Sequence, residues 1–138
     1  DFIGSSVLIT DKNEFDRLVA AIEGFANAST AYVSSQSKGD ELFFDYLSPY
    51  SRRNSNACSQ QMEYFKMYSI TAQNTSINVK SARKYDNTYY VWDDEYISET
   101  KNGEAVTSNE HWVYRIEKEG DGFYIYDYIP DPAFGGSQ

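Results

Sequence analysis

Cysteine, histidine and proline are scarce in this 138-residue chain, which contains one cysteine, one histidine and three prolines. A single cysteine cannot form an intramolecular disulfide, and Cys58 is expected to be a small apolar side chain in a helix. A structural zinc site needs about four ligands, and Cys58 and His111 alone cannot supply them. We therefore expect no metal site, and the fold has to be stabilised by the burial of apolar surface.

Basic residues and long apolar runs are also scarce. The 12 Lys and Arg residues are outnumbered by 21 Asp and Glu residues, which gives a formal net charge of −9. Binding of nucleic acid or anionic lipid depends on cations, so we expect neither as a partner. No run approaches the roughly 20 apolar residues that cross a bilayer. The sequence has no phosphate-binding loop and no nucleophile elbow, so no cofactor is expected.

Aromatic residues, by contrast, make up 17% of the chain, with 13 Tyr and 8 Phe. Asp11 followed by Glu14 is a capping-box pattern and predicts the start of a long helix. Apolar residues then recur at spacings of three and four, which predicts one buried stripe over about six turns. The stripe comprises Phe15, Leu18, Val19, Ile22, Phe25, Ala28, Tyr32 and Val33. A shorter helix is predicted over residues 40–47, and a third from Ser55 to Tyr68.

The hydrophobic pattern changes from helical to alternating after Ile70. Four strands are predicted, over residues 73–84, 88–100, 105–118 and 123–129, with the Asn102-Gly103 pair as a tight hairpin turn. The last strand is predicted to alternate, with one face carrying Phe123, Ile125 and Ile129 and the other Tyr124, Tyr126 and Tyr128.

Helices that precede strands indicate an α+β domain, with N-terminal helices packed on an antiparallel sheet of about four strands. We assign residues 11–130 to this domain and residues 1–10 to a lead-in from an upstream region. The prolines and glycines near the C-terminus predict a flexible tail over residues 131–138.

Several segments between Phe15 and Ile129 carry a family resemblance. They are the helix end Tyr32-Val33, the segment DELFFDYLSPYS at residues 40–51, the helix over residues 61–68, Tyr89-Tyr90-Val91, Glu95-Tyr96-Ile97, Trp112-Val113-Tyr114 and the closing strand over residues 122–128. This layout resembles the nuclear transport factor 2-like fold, in which a curved sheet wraps a helix to form a cone. In particular, it resembles the extracytoplasmic domain of the teicoplanin-resistance-associated, zinc-ribbon-bearing membrane protein family of Gram-positive bacteria.

The resemblance implies an exported, non-catalytic domain that binds or senses either an envelope component or a partner protein. In that family, a cytoplasmic zinc ribbon and one membrane span precede such domains, and neither lies in this sequence. We therefore expect an extracytoplasmic location, with tethering to the cell membrane by a segment outside these 138 residues. Family membership leaves the ligand open. A homodimer formed through the sheet face is an alternative.

A small cone-fold enzyme is the alternative function, because related folds include isomerases, cyclases and dehydratases that hold an Asp or His inside the cone. The residues that would serve it are Asp94, His111 and Tyr32, with Asp127 as a further acid. Asp94 has the strand parity of several aromatic residues, and a carboxylate on an aromatic face would have a raised pKa and act as a base. The competing interpretation is that Asp93, Asp94 and Glu95 are an ordinary acidic cluster in water.

Aromatic side chains of the predicted strands are the candidate ligand-binding residues. They are Tyr90, Trp92, Tyr96, Trp112 and Tyr126. The row Tyr124, Tyr126 and Tyr128, with Tyr89 or Tyr90 beside it, would form a stacking surface for a sugar or a peptide. The competing interpretation is that they pack within the sheet, because aromatic residues favour strands and pair across them.

Overall fold

A computed structural model of the chain describes residues 2–35, 46 and 57–134. The helices are α1 (Phe2–Ser5), α2 (Lys12–Ser34), α3 (Ala57–Met67) and a final 3-10 helix (Pro132–Phe134). The strands are β1 (Val7–Leu8), β2 (Ile70–Tyr85), β3 (Thr88–Lys101), β4 (Glu104–Glu119) and β5 (Gly122–Pro130). The predicted long helix, third helix and four strands are confirmed, with ends that differ by a few residues. Most of the helix predicted over residues 40–47 lies outside the described residues.

Helix α2 begins as the capping pattern predicts. The carboxylate of Asp11 accepts a hydrogen bond of 2.8 Å from the backbone N–H of Glu14, which satisfies one of the free donors of the first turn. Its buried side chains follow the helical spacing of three and four. They are Leu18, Ala21, Ile22, Phe25, Ala28, Ser29, Tyr32 and Val33. Gly24 lies beside this stripe, where a Cβ atom would clash with the ring of Tyr46.

The five strands form one antiparallel sheet in the order β1-β2-β3-β4-β5. Four of them were predicted; the fifth, β1, pairs over only two residues, with Val7 opposite Lys84 and Leu8 opposite Arg83. Such a short strand has too few residues to show an alternating pattern. The predicted turn between β3 and β4 is confirmed, because Asn102 and Gly103 both adopt positive φ, at 51° and 84°.

The two faces of the sheet differ in what covers them. The inner face is defined here as the one on which α2 packs, and it carries most of the hydrophobic core. Its side chains include Tyr89, Val91, Asp93, Glu95 and Glu99 of β3, Trp112, Tyr114 and Ile116 of β4, and Ile125 and Tyr128 of β5. The outer face carries the alternate residues, among them Tyr90, Trp92, Asp94 and Tyr96 of β3.

The predicted alternation along β5 is confirmed for Phe123 and Ile125, which share the inner face, and is wrong after them. The pairing with β4 shifts register between Arg115 and Ile116, so that Ile125 lies opposite Ile116 and Tyr128 lies opposite Tyr114. One extra residue in β5 therefore reverses the parity of the strand. As a result Ile125 and Tyr128 share the inner face, and Ile129 is 54% exposed.

The segment after β5 is described as far as Phe134. The backbone N–H of Asp131 donates to the carbonyl of His111 at 2.8 Å, and the Asp131 side chain is buried. The ring of Phe134 stacks on that of His111 with centroids 3.7 Å apart. These contacts hold the first part of the predicted tail against the outer face.

Candidate functional site

A pocket of about 360 Å³ lies between α3 and the inner face of the sheet. Helix α3 supplies polar and aromatic residues on one side, and strands β2 to β5 form the other. The lining residues are Gln60, Gln61, Tyr64, Gln73, Glu95, Ile97, Glu99, Glu110, Trp112, Tyr114, Tyr128, Ile129 and Pro130. Among these described lining residues three carry a carboxylate, and none is Lys, Arg or His.

Two of the carboxylates are held in place by hydrogen bonds. The hydroxyl of Tyr64 donates to Oε1 of Glu99 at 2.6 Å, and the amide of Gln73 donates to its Oε2 at 2.8 Å. The hydroxyl of Tyr114 donates to Oε2 of Glu95 at 2.6 Å. Hydrogen bonds to charged acceptors are about twice as strong as neutral ones. Glu95 and Glu99 are thus fixed although their side chains are 6% and 8% exposed.

Glu95 and Glu110 lie directly opposite each other on β3 and β4. Like charges in that arrangement destabilise a sheet. The pKa of Glu110 is raised, mainly because the side chain is buried and also because the carboxylates of Glu95 and Glu99 lie nearby. The sheet therefore carries an electrostatic cost at this position, which a proton or a bound cation would relieve.

Asp93 lies two residues before Glu95 on the same face, opposite Trp112. Its side chain is fully buried, and neither carboxyl oxygen has a donor among the described residues. Burial, the largest cause, and the interaction with Glu95 raise the pKa of Asp93 to about 10, and the charge of Lys80 acts against that shift. Asp93 is therefore protonated at neutral pH, next to the carboxylate of Glu95.

Aromatic rings form a continuous wall of the pocket. Tyr128 stacks on Tyr114 with centroids 5.2 Å apart, and Trp112 meets Tyr128 edge to face at 5.1 Å. Burial is the first cause that raises the pKa values of Tyr64 and Tyr114, followed by their interactions with Glu99 and Glu95. Both hydroxyls are therefore donors at neutral pH. The site combines fixed carboxylates with flat apolar surfaces.

The structure brings two of the three predicted catalytic residues together, but not in the pocket. Nδ1 of His111 lies 2.6 Å from Oδ1 of Asp94 on the outer face, where the two side chains are 29% and 37% exposed. Tyr32 is buried in α2 on the opposite side of the sheet and stacks on Phe65 at 6.0 Å. The sheet thus separates Tyr32 from the other two residues.

The pKa of Asp94 also moves in the direction opposite to the expected one. The hydrogen bond from His111 is the first cause of a lowered pKa, and Lys80, whose ammonium lies 3.3 Å away, adds to it. The fourth catalytic candidate, Asp127, pairs on the outer face with Arg115 at 3.2 Å. Its pKa is raised by burial, and Arg115 acts against that shift.

The predicted ligand-binding aromatic residues do not form one surface. Tyr90, Trp92 and Tyr96 lie on the outer face of β3, whereas Trp112 lies on the inner face and lines the pocket. Tyr126 is stacked beneath the guanidinium of Arg115, with 3.7 Å between the guanidinium carbon and the ring centroid. Only Trp112 of the five contributes to the pocket.

The sequence reasoning missed the inner carboxylates Asp93, Glu95, Glu99 and Glu110. Their signal was their parity: Asp93, Glu95 and Glu99 continue the alternation of Tyr89 and Val91, which are fully buried. Tyr89 and Val91 begin this face of β3 and favour burial. The three acids that follow on the same face are therefore expected to be buried carboxylates. The sequence pattern favours Asp94 instead, because its face of β3 carries more aromatic residues.

In the part of the chain that the structure describes, no group of three or more Cys, His, Asp or Glu side chains is arranged to hold a metal ion. None of the helices described here combines the length and the apolar character that crossing a bilayer requires.

Comparison with known proteins identifies the family. A search of curated proteins found no significant match. The model of the TcaA protein NTF2-like domain matches residues 20–129, from the middle of α2 to the end of β5. This range contains α3 and nearly every residue that lines the pocket. The predicted α+β architecture, with helices on a curved antiparallel sheet, is confirmed. The chain therefore belongs to the family of TcaA NTF2-like domains.

Proposed function

We propose that this chain is a non-catalytic, extracytoplasmic binding domain of a membrane-anchored cell-envelope protein from a Gram-positive bacterium. Its ligand is an envelope component or a partner protein, and the inner pocket is the binding site. Membership of the TcaA NTF2-like family supports the envelope assignment. The zinc ribbon and membrane span belong, in this proposal, to parts of the protein outside this chain.

The pocket is the observation that carries the proposal. Its volume of about 360 Å³ falls within the range of small-ligand sites, which are mostly apolar with a few placed polar groups. The fixed carboxylates of Glu95 and Glu99 and the wall formed by Trp112 and Tyr128 meet that description. A ligand that enters would bury aromatic surface and meet acceptors that are already oriented, which lowers the entropic cost of binding.

The positions of the predicted catalytic residues favour binding over catalysis. A base and a donor act together only within hydrogen-bond reach of one substrate. Tyr32 lies on the inner side of the sheet, whereas Asp94 and His111 lie outside it. These three residues therefore have no common substrate position.

Co-sedimentation with insoluble cell-wall material from a Gram-positive bacterium tests the proposal. We expect the chain to sediment with the wall, Trp112→Ala to lose most of this binding, and Trp92→Ala to retain it, because Trp92 lies on the outer face. Equal sedimentation of both variants would contradict the pocket as the site. Protease treatment of intact cells that carry the parent protein tests the location, and protection of the domain would refute it.

A proton-transfer enzyme is a second candidate because of Asp93. A protonated carboxyl beside the carboxylate of Glu95, with the Tyr114 hydroxyl on the same acceptor, resembles the acid and base pairs of active sites. Mass spectrometry of solubilised wall fragments incubated with the chain separates the two functions. The binding proposal expects unchanged fragments; a product that Asp93→Asn fails to form would establish the enzyme.

A second copy of the chain is the remaining partner to test. The outer face exposes Tyr96 by 49%, and large exposed side chains with apolar surface are typical of contact surfaces. Analytical ultracentrifugation of the wild type and of Tyr96→Glu would show whether the outer face dimerises. A dimer that dissociates in the variant supports it, and a wild-type monomer excludes it.

A further inference from the structure

The charges around the inner pocket are unbalanced. Glu95, Glu99 and Glu110 line it, and Asp93 lies two residues before Glu95 on the same face. The described lining contains no cationic side chain; Lys101 and Lys80, whose charges act against the raised pKa values of Glu110 and Asp93, lie outside that lining. Carboxylates that are 6% and 8% exposed, as in Glu95 and Glu99, usually occur with a cationic partner, since burying an unpaired charge is costly. The partner that this arrangement favours is therefore a ligand.

The hydrogen bonds show which oxygens are free to receive it. Both carboxylate oxygens of Glu99 already accept a bond, from Tyr64 and Gln73. Glu95 accepts from Tyr114 through Oε2, and Glu110, which interacts with Ser108, lies opposite it on the next strand. The acidic end of the pocket is thus the pair formed by Glu95 and Glu110, with the donorless carboxyl of Asp93 beside it.

The aromatic wall suits the body of an organic cation. Trp112 and Tyr128 present rings next to the carboxylates, and cations bind favourably over such rings. The chain makes the same kind of contact with its own ammonium groups: Nζ of Lys101 lies 4.1 Å from the ring centroid of Tyr68 and 5.7 Å from that of Tyr64. Because Tyr64 lines the pocket, this contact lies at its edge.

The form of the cation follows from these partners. The described carboxylates are not arranged to hold a metal ion, and the aromatic wall offers no metal ligand. An alkylammonium group has three N–H donors on an apolar stem. It would place its charge between Glu95 and Glu110 and its methylene groups against Trp112. The volume of about 360 Å³ accommodates a stem of this length.

We propose that the inner pocket binds an aliphatic primary ammonium group, of the kind carried by a lysine side chain, with Glu95 and Glu110 as its acceptors and Trp112 and Tyr128 as its apolar wall. This proposal rests on the proposed function, because it names the ligand class of the same pocket. The ammonium group belongs to a peptide or to another envelope molecule, and both sources share the chemistry that the pocket recognises.

The test is an NMR titration of the isotope-labelled 138-residue chain with two matched probes. Nα-acetyl-lysine methylamide carries the ammonium group, and Nα-acetyl-norleucine methylamide has the same stem without it. We expect the lysine probe to bind at least about tenfold more tightly and to shift the backbone amides around Glu95 and Glu110. Glu110→Gln should weaken its binding, whereas Glu104→Gln, at the exposed start of the same strand, should not.

Each other outcome overturns the ammonium proposal in a distinct way. Equal binding of the two probes would show that the pocket recognises only an apolar stem. Shifts confined to the outer face would place the cation elsewhere, and the absence of shifts at millimolar lysine probe would exclude this class of ligand. In all three cases, the wall co-sedimentation of the wild type and of Trp112→Ala still reports independently on the pocket as a binding site.

Discussion

The inner and outer faces of the sheet use similar residues for different purposes. Both carry acids next to aromatic rings, and the neighbours Asp93 and Asp94 differ only in the direction in which their side chains leave the strand. On the outer face, Asp94 is paired with His111 and Lys80 and has a lowered pKa. On the inner face, Asp93 is buried beside Glu95 and has a pKa of about 10, because burial outweighs the opposing charge of Lys80.

The two faces contain the same types of residue. What distinguishes the candidate site from a packing surface is whether its acids are paired with cations of the chain. On the outer face, acids form ion pairs with cations: Asp94 pairs with Lys80, and Asp127 pairs with Arg115. Exposed ion pairs of this kind contribute little to stability. The inner carboxylates are compensated instead by tyrosine hydroxyls, an amide and a retained proton. They remain able to receive a cation from outside the chain.

The largest expected contrast between the faces concerns packing. Phe25 of α2 is 1% exposed and meets Tyr128 edge to face at 6.0 Å, whereas Phe134 on the outer face is 43% exposed. Phe25→Ala should lower the free energy of unfolding by about 3–5 kcal/mol, because it leaves a cavity in the core. Phe134→Ala should lower it by less than about 1 kcal/mol. Chemical denaturation measures both, and similar losses would contradict the assignment of the faces.

The next contrast is a dependence of stability on pH. The folded-state pKa of Asp93 is raised to about 10 from an ordinary value of 3.8, so the stabilisation it provides is present below the unfolded pKa and is lost as pH rises toward the folded value. Between about pH 7 and pH 9, the free energy of unfolding should fall by up to about 1.4 kcal/mol per pH unit from this residue alone. Asp93→Asn should remove that slope.

Asp94→Asn is the matched control, since the lowered pKa of Asp94 has the opposite consequence. Its stabilisation is present above the unfolded pKa and is lost only as pH falls through the acidic range. The variant should therefore keep the wild-type slope between neutral and alkaline pH. Denaturation curves across the pH range decide the matter, and the same slope in wild type and Asp93→Asn would show that Asp93 is not held protonated.

The smallest contrast concerns single hydroxyl groups. Tyr114→Phe removes the donor to Glu95 and leaves a buried carboxylate short of a partner, which should cost about 1–3 kcal/mol. Tyr96→Phe, at a side chain that is 49% exposed on the outer face, should change the free energy of unfolding by less than about 0.5 kcal/mol. If denaturation shows the two variants to be equal, the Tyr114 hydroxyl does not support Glu95.

The elements were predictable because their signals are local. The capping pair Asp11 and Glu14, the stripe of α2 and the turn at Asn102 depend on neighbours in sequence, and the structure confirms them. Strand β1 is not predictable from its own two residues, because a distant partner near Lys84 fixes its position. The parity of β5 failed because a bulge beside Arg115 is set by pairing rather than by local pattern.

The candidate site was harder to predict for a related reason. Alternation divides β3 into two sets of side chains, but it does not say which set faces the helix. The set with Tyr90, Trp92 and Tyr96 has more aromatic residues, and it lies on the outer face. The set with Asp93 and Glu95 faces inward, because the helix packs where Tyr89 and Val91 are buried. The packing of α2 on one face of the sheet, and not the local sequence of β3, therefore determines that Asp93 and Glu95 are buried.

The most direct test of the binding proposal uses the two tryptophans, because the chain has two and the sheet places Trp112 on its inner face and Trp92 on its outer face. Their side-chain indole N–H signals in a two-dimensional NMR spectrum report on the two faces separately when solubilised cell-wall fragments are added. The account predicts that the Trp112 signal shifts with ligand concentration while the Trp92 signal stays in place. A shift of Trp92 with an unchanged Trp112 would contradict it.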